Sequence, residues 1–196
     1  MRKILITLIS LFVALGTFAE SPDNILQNCV SKLKGAKSIV ADFTMTVQGR
    51  TFTGTLNSKG NRFSVVTPGN ATWYNGADIW SYSAASGEVT VWKPAAAELA
   101  ESNPLLYLST ASDYTVKSGA AAGTVILTPK KRNSGVKNIT LTVSSSTGLP
   151  KTLDIAANGG NIKIVMKSIR LNAPVDDSTF TFPKARYPKA RLTDLR

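Results

Sequence analysis

The sequence predicts a mainly β (α+β) fold: one curled, barrel-like antiparallel sheet of about ten or eleven strands with three short helices. Three observations carry this. From Ile39 onward the apolar residues recur with a period of two, as in half-buried strands. Turn chemistry recurs at short intervals: Gly49-Arg50, Lys59-Gly60-Asn61, Pro68-Gly69-Asn70 and Asn75-Gly76. The strand series is interrupted once, over residues 94–107, where the sequence turns helical. So many antiparallel strands in one domain favour a curled sheet over a flat one.

Each element follows from local chemistry. Residues 1–19 have the three-part layout of a secretory signal: basic Arg2 and Lys3, an apolar run over residues 4–15, and small Thr17 and Ala19 before a cleavage point. The run is shorter than the ~20 apolar residues a bilayer needs, so the segment reads as a signal peptide cleaved after Ala19. No cysteine stands at that point to take a lipid anchor. Residues 20–196 then form one exported domain.

Ser21-Pro22-Asp23 starts a helix, with a capping hydroxyl, proline in the first turn and a carboxylate at the positive dipole end. It runs to about Lys34 and stops at Gly35. Ala41, Phe43, Met45 and Val47 then alternate with Asp42, Thr44, Thr46 and Gln48 as the first strand. Phe52, Gly54 and Leu56 repeat the pattern, followed by Phe63 and Val65. Three further strands carry Trp73, Trp80 with Tyr82, and Trp92. Residues 94–100 and 103–108 form two short helices containing Leu99, Leu105 and Leu106. Strand patterns resume over residues 114–117, 124–128, 138–143, 152–155 and 162–171. No internal repeat is present.

Composition narrows the function. The chain has 23 Lys and Arg against 12 Asp and Glu, and removing Arg2 and Lys3 lowers its formal charge from +11 to +9. Such a balance fits nucleic acid, an anionic membrane surface or simple solubility, and export argues against nucleic acid. The cations are scattered except for Lys130-Lys131-Arg132 and residues 184–191, read as a solvated loop and a solvated tail. Cys29 is the single cysteine, so no internal disulfide forms, and it falls on the apolar stripe of the first helix. The chain has no histidine, which removes zinc-hydrolase patterns and every Ser-His or Cys-His pairing. Ser31-Lys32-Leu33-Lys34 matches a Ser-x-x-Lys spacing, but the companion motifs are missing. The reading is a non-enzyme with no metal and no cofactor.

The aromatic residues admit two readings, ordinary core packing or the lining of a concave apolar surface. The expectation taken forward is that Phe43, Met45, Leu56, Phe63, Trp73, Trp80 and Tyr82 line a cavity, with Leu99, Leu105 and Leu106 on lid helices over its mouth.

Several patterns resemble one family. Ala41-Asp42-Phe43, Gly54-Thr55-Leu56, Asn75-Gly76-Ala77-Asp78-Ile79-Trp80-Ser81-Tyr82 and Phe180-Thr181-Phe182 occur in the order found in the periplasmic outer-membrane lipoprotein carriers of the LolA-like type. The tail over residues 187–196 is similar to that of Bacteroidetes-type members. The resemblance implies a half-open antiparallel barrel whose lid helices enclose the acyl chains of lipoproteins or lipids. It also implies a monomer that takes its passenger from an inner-membrane donor complex and delivers it to an outer-membrane acceptor. Proteobacterial members keep a lid-latching arginine after the second strand. The matching place here reads Lys59-Gly60, with Arg62 two residues on. The alternative reading is an envelope binding module of the same fold for another apolar ligand or a protein partner.

Overall fold

The computed structural model describes residues 20–109, 111–131 and 135–196. The expected signal peptide, residues 1–19, lies outside them, as does Arg132 of the basic loop. The first helix, α1 (Pro22–Gly35), begins where its cap chemistry requires: the Ser21 hydroxyl accepts the Asn24 N–H at 3.2 Å. Its buried side chains are Leu26 and Cys29, with Ile25, Val30 and Leu33 packed beside them.

Six strands follow in a meander: β1 (Ile39–Val47), β2 (Arg50–Lys59), β3 (Arg62–Val66), β4 (Asn70–Tyr74), β5 (Ile79–Ser83) and β6 (Glu88–Trp92). The helical interruption forms α2 (Ala96–Ser102) and α3 (Leu106–Ser109). A second meander runs through β7 (Tyr114–Ser118), β8 (Thr124–Pro129), β9 (Val136–Val143), β10 (Pro150–Ala157) and β11 (Gly160–Leu171). Two 3-10 turns, Asp177–Phe180 and Lys184–Arg186, lead to β12 (Arg191–Asp194).

The strands make one sheet in the order β12-β6-β5-β4-β3-β2-β1-β11-β10-β9-β8-β7. Antiparallel pairing of β1 with β11 joins the two meanders, and β12 adds in parallel to β6. The edges β12 and β7 do not pair, so the sheet is a half-open barrel instead of a closed one. Twelve strands exceed the expected ten or eleven. The additional one, β12, is the charged Arg-Leu-Thr-Asp stretch, which has no alternating pattern to announce it.

Strand parity and register define two faces. On the inner face Ala41 stands opposite Leu56, Phe43 opposite Gly54, and Met45 opposite Phe52. Across the other edge of β1, Phe43 meets Met166 and Met45 meets Ile164. Gly54 has a steric reason to be glycine: a Cβ there would lie 2.6 Å from the ring of Phe43, which lies across this strand. The main core sits on this face, where Leu26 and Cys29 of α1 and Leu105 and Leu108 of the α3 region meet the sheet.

The tail expected to be solvated instead straps the outer face of β3–β6. Phe180 is 0% exposed. Its ring lies 5.2 Å from the Arg62 guanidinium. Phe182 and Tyr187 pack edge-on against Trp73 at 5.6 and 5.7 Å, and Tyr187 reaches Tyr82 at 4.5 Å.

Candidate functional site

The expectation that seven residues line one hollow is corrected by the register. Phe43, Met45, Leu56 and Phe63 do share the inner face. Trp73 stands opposite Ser64 and Trp80, and Tyr82 opposite Ala71. Ser64 is one residue out of phase with Phe63, so Trp73, Trp80 and Tyr82 face outward, where Trp73 and Tyr82 meet the strap. Each hairpin pairs an odd residue with an even one, so the inward parity flips at every strand: odd on β1, even on β2, odd on β3, even on β4 and odd on β5. The connection between β4 and β5 keeps this alternation. Asn75-Gly76 does not make a two-residue turn there. The Asn75 carboxamide oxygen accepts the N–H groups of Ala77 and Asp78 at 2.9 and 2.8 Å, closing a four-residue loop. The two extra loop residues shift which residues pair but leave the faces unchanged, since side chains alternate with a period of two.

On the inner side, a cavity of about 220 Å³ remains at the seam between the helices and the sheet. Val30, Leu33 and Ala36 from the end of α1 form one wall, and Leu105, Leu106 and Leu108 form the other. Ile39, Ser58 and Gly60 close the sheet side. Leu105 and Leu106, expected on the lid, therefore meet this cavity, whereas Leu99 is half-buried on α2 and does not border it. Sequence reading missed Val30, Leu33 and Leu108, although all three lie on the apolar stripes of helices already recognised. Buried Asn103 positions the leucines, its side-chain oxygen accepting the Leu105 N–H at 3.1 Å. Among the described residues no buried side-chain polar atom lacks a hydrogen-bond partner. The cavity thus presents mainly apolar surface, with Lys34, Ser38 and Ser58 as further polar lining and Ser38 hydrogen-bonded to the Ala173 carbonyl.

The cations near the expected latch position act elsewhere. Lys59 Nζ lies 2.8 Å from Asp177 Oδ1 and donates to the Val175 carbonyl at 3.3 Å. Arg62 reaches the same carboxylate oxygen at 3.2 Å. The hydrogen bond from Lys59, then that from Arg62, holds the Asp177 carboxyl below the usual carboxylate range. These two side chains thus clamp the strap on the outer face, and Gly60 leaves the rim of the cavity without a side chain.

Cys29 is 0% exposed beneath the sheet. Burial pushes its thiol up to about 12, against a small opposing pull from Lys32. The neutral thiol is a packing group at neutral pH. A maleimide is expected to label Cys29 slowly in the native protein and completely after denaturation, as read by intact mass. Rapid native labelling would mean that α1 swings off the sheet far more often than its packing allows.

Comparison with known proteins places this architecture. A family model described as outer membrane lipoprotein carrier protein LolA matches residues 13–159. An uncharacterized conserved protein from Thermus thermophilus is similar in structure, with a TM-score of 0.59 at 11% identity over 88% of this chain and 98% of that one. A LolA superfamily protein from Nitrosomonas europaea aligns over 84% of this chain and 99% of its own, at 13% identity and a TM-score of 0.42. Among curated protein sequences, none matches. The Thermus likeness speaks to the fold alone, whereas the family match spans well over half of the 196 residues. The chain belongs to the family of LolA-type outer membrane lipoprotein carrier proteins.

Proposed function

We propose that this protein is a periplasmic carrier that encloses the acyl chains of a lipoprotein or lipid against the inner face of its sheet and catalyses no reaction. The observation that carries this is the nature of the cover. The apolar inner face is capped by α1 and the α3 region, elements that can move without breaking any strand ladder.

The magnitudes decide how it would load. The 220 Å³ at the seam is smaller than the roughly 300–1,000 Å³ of ordinary ligand pockets, so an acyl chain enters only as the helices lift from the sheet. Opening exposes Leu105 and Leu108, at about 1.5–3 kcal/mol for each fully buried leucine. A chain of roughly fifteen methylenes at ~0.8 kcal/mol each recovers about 12 kcal/mol. The passenger wins, and the helices close again over it. An inner-membrane donor complex and an outer-membrane acceptor complete the cycle, with the carrier acting as a monomer.

Native mass spectrometry of protein extracted from its own envelope without detergent tests the reading. The expected result is a bound mass equal to a diacylated or triacylated lipid or lipoprotein. A single unliganded mass, with no fatty-acid uptake on titration, would overturn it.

A further inference from the structure

We propose that the edge of the sheet formed by β12 is a docking surface for an anionic lipid bilayer. Among the described residues, the exposed large hydrophobics are Leu192, 57% exposed, and Leu195, 65% exposed. Both stand on or beside β12, the free edge of the sheet. Cations alternate with them: Lys189 and Arg191 precede Leu192, and Arg196 follows Leu195.

Arg191 is bonded to Glu88, and Arg196 to Asp78 and Asp194, which holds the segment against β5–β6. Lys189, three residues before Leu192, is exposed and enters no ion pair among the described residues, so its charge is available to a partner. Lys184 and Arg186 are likewise exposed and unpaired among the described residues but lie further back along the strap, Arg186 beside β1–β2 residues. The segment also lies outside the residues matched by the family model.

The chemistry selects a membrane over a strand-forming partner. β12 is four residues long, follows Pro188, and carries Arg191 and Asp194, all features that discourage edge-to-edge pairing. Exposed leucines preceded by an unpaired lysine instead supply the two weak signals, apolar insertion and attraction to anionic headgroups, that together hold a protein reversibly at a bilayer. The excess of cations over the whole chain has the same sign. This surface does not depend on the acyl-chain reading, since it lies on the sheet edge away from the inner cavity.

Flotation of the full-length protein with phosphatidylcholine vesicles, with and without phosphatidylglycerol, tests it. Binding is expected only with phosphatidylglycerol and is expected to weaken at high ionic strength. L192S/L195S and K184Q/K189Q should each lower partitioning at least ~10-fold. All four positions are exposed, so circular dichroism and fatty-acid displacement should match wild type. Failure of vesicle binding, equal binding to neutral vesicles, or undiminished binding by L192S/L195S would each overturn the proposal. Fatty-acid binding without vesicle binding would overturn it and leave the carrier reading standing.

Discussion

Phe180→Ala is expected to cost about 3 kcal/mol of folding stability, in the range for truncating a fully buried phenylalanine. The ring is sealed between Arg62 and the outer face of β3–β4, so removing it leaves a cavity that the strap cannot readily fill. It also loosens the turn that carries Asp177, and with it the clamp formed by Lys59 and Arg62. Equilibrium denaturation should show the loss, and thermal melting should fall by roughly 10 °C for a domain of this size. Fatty-acid affinity should be retained, because the strap and the cavity lie on opposite faces. A loss below about 1 kcal/mol would mean that residues 177–196 rest on the sheet without contributing to its core.

Leu106→Glu is expected to weaken acyl-chain binding by about 2 kcal/mol, roughly thirty-fold in Kd. Leu106 is half-buried on α3 and borders the cavity, so without a passenger the carboxylate can turn toward water with little effect on folding. With a chain enclosed, the carboxylate must lose hydration, take up a proton or hold the seam open, and each of these penalises the bound state. Denaturation midpoints close to wild type would accompany the loss of affinity. Unfolding of the variant would instead mark α3 as a fixed part of the core.

Much of the scaffold was legible because its signals are local. Ser21-Pro22-Asp23 dictates the start of α1, and the alternation from Ala41 to Val47 together with the glycine turns dictates the first meander. The inward side of β1 and β2 could also be read, since Phe43, Met45 and Leu56 have polar neighbours on either side. In β4 and β6 that logic fails, because the buried apolar residues of these strands face the strap and not the inner core. Trp73 alternates with Thr72 and Tyr74, yet the tryptophan is the outward residue. That outcome depends on the pairing parity carried from β2 through β3 to β4 and on a strap more than a hundred residues later in the chain. The strap itself was obscured by Lys184, Arg186 and Lys189, whose charge suggested a solvated tail while Phe180 and Tyr187 did the packing. The expectation for Lys59 and Arg62 turned on the same long-range fact, since their partner Asp177 is distant in sequence.

Acyl chains are thus expected under the helices on the inner face and not against the aromatic cluster outside. Displacement of a fluorescent fatty acid from Leu106→Glu and Trp80→Glu, measured side by side with their melting curves, separates the two faces. The expected result is a roughly thirty-fold loss for Leu106→Glu and wild-type affinity for Trp80→Glu, whose penalty should appear only in stability. Wild-type affinity in Leu106→Glu together with a comparable loss in a folded Trp80→Glu variant would put the ligand on the opposite face and contradict this assignment.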